Sequence, residues 1–408
     1  MRPIWIRKAR VYAENGVLEE AAVEVREGRI AGIYNAGADG RLPEPPAEAE
    51  VIEAEGFALL PGFVDVHVHG GGGGDAMGAT RGDLERMCAY HARHGTTSLL
   101  VTTLTAGVEP IAKAVAAAAA FMRSEWTGGA KAAGVHLEGP FLNPAYCGAQ
   151  DPRTMRAPSV EELEAMLAGT EGVVRLVTFA PEMPGADRVI EFARSRGMTV
   201  SAGHTGATYE EMREAVKRGV AHATHLFNGM RGIHHRDPGA AGGALLHPEV
   251  TAELICDGVH VHPDLVKLTF DVKTAEKVAL ITDCISCAGC PDGEYRLGDL
   301  PVVARDGVVT LRGEDGKPGG LAGSTLTMRG AFLNAMRFTG RTPEQVLPAL
   351  TLTPARQAGI DKETGSIAPG KAADLVLMDA EWNVVWTMAD GRIVYRAEAS
   401  DQPTKGDH

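Results

Sequence analysis

Pro61-Gly62-Phe63-Val64-Asp65-Val66-His67-Val68-His69-Gly70 is an apolar run that ends in a His-x-His pair and opens onto five glycines, Gly70 to Gly74. Side chains of a strand alternate between its two faces, so His67 and His69 share one. Two imidazoles on one face at a strand end can hold one divalent ion. The same pair also serves as two satisfied core histidines, and by itself it does not decide between the two. The glycines lack the Gly-Lys-Ser/Thr ending of a phosphate-binding loop and read as a tight turn beside the histidines.

Downstream of this stretch, strands alternate with helices. The strand signals are Thr96 to Val101, Ala132 to Leu137, Val173 to Phe179, Thr199 to Ala202, Ala221 to Thr224, Val250 to Ile255 and Lys277 to Ile281. Helical patterns such as 108–123, 186–196 and 209–218 lie between them. With the opening stretch this makes eight β/α alternations, which predicts an α/β fold, a (β/α)8 barrel. The barrel is expected over 59–356, with an inserted hairpin near 291–320 turning at Asp306-Gly307. Helices are expected at 326–339 and 343–358.

Both chain ends read as β-structure. Val23-Glu24-Val25 and Arg29 to Ile33 flank the hairpin signal Glu27-Gly28, and short strands return between 373 and 396. Residues 1–58 and 357–399 are therefore expected to form one small discontinuous β-sandwich, with 400–408 a disordered tail.

The chain has 408 residues, 44% hydrophobic and 23% charged, with a net charge of −13. That is globular composition, long enough for one large unit and a smaller one. The acidic balance excludes non-specific nucleic-acid binding, and no run has the length of a membrane span. Six cysteines in so long a chain are no disulfide framework. A soluble, cytoplasmic protein is expected.

The polar residues then fall into place on the strands. His67 and His69 end the first, Glu138 the third, His204 follows the fifth, His225 the sixth and Asp283 the eighth. All lie at strand C-terminal ends, where a barrel builds its active site. Each alone has a structural explanation; six at one rim point to metal. Six ligands exceed one tetrahedral site and suit two divalent ions bridged by Glu138. A bound ion acidifies water towards neutrality, and the terminal Asp283 can take its proton and pass it to a leaving group. The expected chemistry is metal-assisted hydrolysis of an amide, cyclic imide or amine.

These motifs resemble the amidohydrolase superfamily, and within it the N-acetylglucosamine-6-phosphate deacetylase family. Besides the opening stretch, the resemblance rests on His136-Leu137-Glu138-Gly139-Pro140-Phe141, Gly203-His204-Thr205, Thr224-His225-Leu226-Phe227-Asn228-Gly229-Met230 and Arg236-Asp237-Pro238-Gly239. It continues through Asp257-Gly258-Val259-His260, Thr282-Asp283, Leu321-Ala322-Gly323-Ser324 and the return Gly365 to Val376.

The resemblance implies that Glu138, His204 and His225 hold one ion and His67 with His69 a second. Zinc comes first, with iron, manganese or cobalt as alternatives. Asp283 is implied as general base and then acid. Asn228, the Gly229 backbone and Arg236 are implied for the 6-phosphate and His260 for sugar or phosphate, while Ala149 and Leu321 fall in the substrate region. A homodimer is implied, with residues near Arg236 reaching a neighbouring site. A sugar phosphate is the expected small-molecule partner, whether N-acetylglucosamine 6-phosphate, its galacto epimer or another N-acyl amino sugar. A cyclic-amide hydrolase is disfavoured, since such enzymes commonly bridge their metals with a carboxylated Lys.

One position departs from the family. Gln150 stands where its members usually carry a His that polarises the acetyl carbonyl. Gln donates an N–H but carries no charge, and loss of such a donor costs on the order of 10²-fold in rate. Natural variation, a shift in substrate and an engineered change that traps ligand all fit this departure, and a weakly catalytic sugar-phosphate-binding protein stands as the alternative to the deacetylase.

Other signals are weaker. Cys284-x-x-Cys287-x-x-Cys290 has thiolate spacing for a metal but no fourth ligand. Cys147 lies in the loop next to Gln150. His91 and His94 read as surface positions, His234 and His235 as solvated loop residues, and His222, His247 and His262 have no paired ligand pattern.

Overall fold

The computed structural model describes residues 2–37, 41–313 and 317–398; the tail expected from Ser400 lies outside the described residues. Eight parallel strands form one sheet in sequence order: β1 Phe63–Val68, β2 Thr96–Thr102, β3 Lys131–Glu138, β4 Val174–Phe179, β5 Thr199–Ala202, β6 His222–Ala223, β7 Thr251–Ile255 and β8 Val278–Ile281. Helices cover the outside: α1 Arg81–Ala92, α2 Val108–Met122, α3 Val160–Leu167, α4 Ala186–Ser195, α5 Tyr209–Arg218, α6 Gly239–Leu246, α7 Pro263–Lys273 and α8 Met328–Thr339. This is the (β/α)8 barrel. Parallel strands covered on both faces carry little polar alternation, and every residue of β2 is buried.

Side-chain caps fix where several helices start. The Thr80 hydroxyl accepts from the Asp83 N–H, Ser159 from Glu162 and Thr327 from Gly330. Thr208 and Glu211 form a reciprocal capping box at α5.

The barrel closes one step beyond its strands. The Asp283 N–H donates to His67 O (2.9 Å), and the His69 N–H to Cys284 O (2.9 Å). Below them the buried Asp65 spans the seam: its Oδ2 accepts from the Thr282 hydroxyl at 2.6 Å and its Oδ1 from the His67 N–H at 3.2 Å.

The chain ends meet in one continuous sheet. Ala58–Pro61 pairs antiparallel with Leu375–Met378 and runs straight into β1. The sheet encloses its own core of Ile6, Val11, Val23, Leu59, Leu375 and Trp386. At the start of β3, Lys131 Nζ ties this sheet to the barrel through Asp374 Oδ2 and Asp390 Oδ1, both at 2.8 Å.

Two elements differ from the sequence reading. The insertion is a four-stranded antiparallel meander from Gly293 to Leu321, not a hairpin. The helix expected over 343–358 is broken into Pro343–Val346, a 3-10 turn Leu347–Leu350, and Leu352–Gln357. Pro348 lacks the N–H of a continuing helix, and Thr351 leaves helical geometry at φ −133°, ψ −84°.

The glycine run does form a turn. Gly70 and Gly71 pair with Asp75 and Gly74 across Gly72 (φ 59°) and Gly73 (φ 79°), a left-handed pair that favours glycine. A Cβ on Gly74 would lie 2.2 Å from Asp83 O.

Candidate active site

Three of the site residues share a backbone device. His204, His225 and Asp283 each sit two positions past a strand end, after β5, β6 and β8. Each is in the left-handed region, at φ 47°, 29° and 50°. Such conformations cost on the order of 1–3 kcal/mol each and persist only where surrounding contacts impose them.

Glu138, buried at the end of β3, divides the imidazoles between its two oxygens. Oε1 lies 3.2 Å from His204 Nε2 and 3.1 Å from His225 Nε2. Oε2 lies 3.2 Å from His69 Nε2 and 3.5 Å from His67 Nε2. Within each pair the Nε2 atoms face one another, at 3.1 Å for His204–His225 and 3.2 Å for His67–His69. Asp283 Oδ1 stands beside the second pair, 3.2 Å from His69 and 3.5 Å from His67.

All four rings are held from behind. His69 Nδ1 meets Thr102 O (3.2 Å), His204 Nδ1 meets Tyr146 O (2.9 Å), and His225 Nδ1 meets Asn228 O (3.1 Å). His67 Nδ1 meets Glu253 Oε2 at 2.9 Å. Each acceptor puts the proton on Nδ1 and turns the Nε2 lone pair inwards. Nitrogen lone pairs converging in pairs, each with one carboxylate oxygen, suit a divalent cation. Two donor groups, His67-His69-Glu138 and Glu138-His204-His225, each gather within 4.8 Å.

The local field agrees. Burial opposes charge on His67 and His69, yet Glu138, Asp283 and, for His67, Glu253 outweigh it. His69 rises to about 9 and His67 well above its ordinary value. Burial would raise Glu138, but the surrounding imidazoles hold it well below the carboxylate range. The pocket demands positive charge.

A cavity of about 320 Å³ opens over these groups. Besides His69, Glu138, His204, His225 and Asp283 it is lined by Ala149, Gln150, Asn228, Gly229, His260 and Leu321, while His67 is fully buried and does not line it. His260 is held by Asp257 Oδ2 at 2.6 Å. Gln150 is buried; its Oε1 accepts from the Thr105 N–H (2.8 Å) and its Nε2 donates to Glu138 Oε2 (2.6 Å). Arg236 stands apart from the cluster of expected site residues. It is exposed, its guanidinium lies 2.6 Å from His235, and it does not line the cavity.

The sequence reading passed over several buried polar groups. Glu253 in β7 bonds His67, His222 Nε2 (2.9 Å) and the His225 N–H (3.0 Å). Asp65 holds the barrel seam. His91, expected at the surface, is fully buried with Nε2 on Gly70 O at 2.9 Å, which pins the glycine turn to α1. The sulfurs of Cys284, Cys287 and Cys290 form no convergent donor group among the described residues.

A shared carboxylate between two imidazole pairs at the C-terminal rim of such a barrel defines a metal-dependent hydrolase site. The chain belongs to the amidohydrolase family, whose sequence model matches residues 58–394. Its relatives include the N-acetylglucosamine-6-phosphate deacetylase of Vibrio furnissii, 38% identical over 86% of each chain. The N-acetylgalactosamine-6-phosphate deacetylase of Escherichia coli O157:H7 is 35% identical over 95% of this chain and 98% of its own. Among solved structures, an Asp-to-Ala variant of the Mycobacterium smegmatis N-acetyl-D-glucosamine-6-phosphate deacetylase, in complex with N-acetyl-D-glucosamine-6-phosphate, superposes with a TM-score of 0.88. It is 34% identical and covers 97% of this chain and 100% of its own.

Proposed function

We propose that the protein hydrolyses the acetamide of N-acetyl-D-glucosamine 6-phosphate to D-glucosamine 6-phosphate and acetate. The carrying observation is Glu138 facing one imidazole pair with each oxygen, with Asp283 beside the cavity floor. A divalent ion bound there supplies Lewis acidity to the amide carbonyl and to water. Glu138, His204 and His225 hold one ion, and Glu138, His67 and His69 a second; zinc suits the nitrogen-rich donors best.

Asp283 takes the proton of the attacking water and delivers it to the amine nitrogen as the C–N bond breaks. The Gln150 carboxamide, on the cavity wall, offers a neutral N–H to the acetyl oxygen in place of a charged imidazole. Asn228, the Gly229 N–H and His260 contact the sugar phosphate.

We further propose a homodimer. Leu265, Leu268 and Val272 form an exposed apolar stripe at i, i+3, i+7 on α7, at 40%, 43% and 47% exposure. Leu246, the last residue of α6, and Ile233 in the Arg236 loop are exposed as well. Such a stripe supports an association surface on this face. Arg236, exposed and outside the lining of its own cavity, would then serve the phosphate in the neighbour's. No helix among the described residues is long and apolar enough to cross a membrane. With six free thiols, a reducing cytoplasm fits.

The test is steady-state acetate release from N-acetylglucosamine 6-phosphate. The unphosphorylated sugar and the galacto 6-phosphate run alongside. Turnover that needs the phosphate and stops on chelation is expected. Faster turnover of the galacto epimer would reassign the substrate, and metal-bound protein inert on all three would overturn the reading.

A further inference from the structure

Of the four imidazoles facing Glu138, three are oriented by backbone carbonyls, which no substitution removes. His67 alone among them is oriented by a side chain, Glu253. That carboxylate is fully buried inside β7, in a strand otherwise apolar but for Thr251. Burying a carboxylate costs several kcal/mol unless donors surround it, and three do. Oε2 takes His67 Nδ1 (2.9 Å) and the His225 N–H (3.0 Å), while Oε1 takes His222 Nε2 (2.9 Å), itself set by Gln357 Oε1 (3.1 Å). One oxygen therefore orients a ligand from each imidazole pair.

We propose that Glu253 is a positioning residue of the metal centre: by accepting from Nδ1 it fixes His67 with Nε2 bare and lets the His67–His69 position keep its ion. This rests on the two-ion reading above. The position facing His204 and His225 depends on Glu253 only through a backbone N–H. Loss of the carboxylate therefore separates the two ions, whereas a merely structural tie between β1, β6 and β7 would weaken the fold and leave the second ion's affinity alone.

Glu253→Gln keeps the size but offers one acceptor oxygen to three donors. Outer partners of metal-bound histidines typically contribute 10–100-fold in metal affinity. The experiment is cobalt titration of the full chain, read by metal content and the visible spectrum, with the melting temperature recorded. Wild type is expected to take two ions, and E253Q to hold the first unchanged and the second about 10–100-fold more weakly. His222→Gln, which leaves Glu253 on His67, is expected to keep both. Wild-type affinity for the second ion in E253Q overturns the proposal. A wild type that takes one ion also overturns it while sparing the hydrolase; no ion at all overturns both.

If E253Q does not fold, ¹⁵N-histidine spectra of cadmium-loaded wild type decide. Cadmium coupling to Nε2 of His67, with a protonated Nδ1, supports the proposal, and coupling to Nδ1 refutes it.

Discussion

Asp283 Oδ1 lies 3.2 Å from His69 Nε2, so the expected proton carrier touches the donor set and faces the cavity at once. Asp283→Asn keeps the shape and tolerates the left-handed backbone at φ 50°, but cannot take a proton. The variant should lose about 10²–10⁴-fold in kcat while binding metal and substrate. Metal analysis and single-turnover kinetics check this; near-native kcat would remove Asp283 from the proton path.

Gln150 donates to Glu138 Oε2 at 2.6 Å, within reach of any carbonyl bound over that oxygen. Gln150→His restores a chargeable donor. Turnover should rise, by up to on the order of 10²-fold, with substrate affinity little changed. Unchanged or lower turnover means that the cavity is adapted to Gln150.

Chelation should abolish activity and also lower thermal stability. An ion held at 100 times its dissociation constant contributes about 2.7 kcal/mol to the folded state, a shift on the order of 3 °C for a chain of this size. Glu138→Gln, which withdraws charge from both ion positions, should melt at the same temperature with and without added zinc. A zinc-dependent shift in that variant would place the ion elsewhere.

Leu268→Glu puts a charge in the middle of the α7 stripe. Light scattering should report a monomer, and KM for the phosphorylated substrate should rise along with it. Arg236→Ala should raise the same KM about 10–100-fold, the worth of a charge-assisted hydrogen bond, without dissociating the dimer. A dimeric L268E would move the interface to another face.

Lys273 ends α7 buried, its ammonium on His247 O at 2.6 Å; burial, with Lys277 nearby, lowers it to about 8. An unfolded lysine titrates at about 10.4. Between those values the unfolded chain holds a proton that the folded chain lacks, so stability from this group rises with pH. Lys273→Met should flatten that rise. Parallel melting curves against pH for wild type and variant would contradict it.

The barrel and the rim were legible because strand ends carry their own punctuation: His67, Glu138, His204, His225 and Asp283 each stop an apolar run. Glu253 and Asp65 were not, because each interrupts such a run from within. A charge inside a fully buried parallel strand was the available signal. His91 looked exposed because α1 is weakly patterned and its ring meets the glycine turn at Gly70 and Gly71. The meander was missed although the sequence marked it: Gly298-Asp299 and Asp315-Gly316 are turn signals of the same kind as Asp306-Gly307, and only Asp306-Gly307 was read. Where Arg236 acts depends on the surroundings of a solvent-facing loop, which local sequence does not encode.

The seam between β1 and β8 has a consequence for synthesis. His67 and Asp283 are separated by some two hundred residues, yet their backbones pair directly where the chemistry is expected. The sheet that anchors β1 also needs Leu375–Met378. A nascent chain on the ribosome therefore has no working centre until nearly all of it has emerged. Catalysis becomes a report on completed folding, and a truncated product is silent rather than partly active.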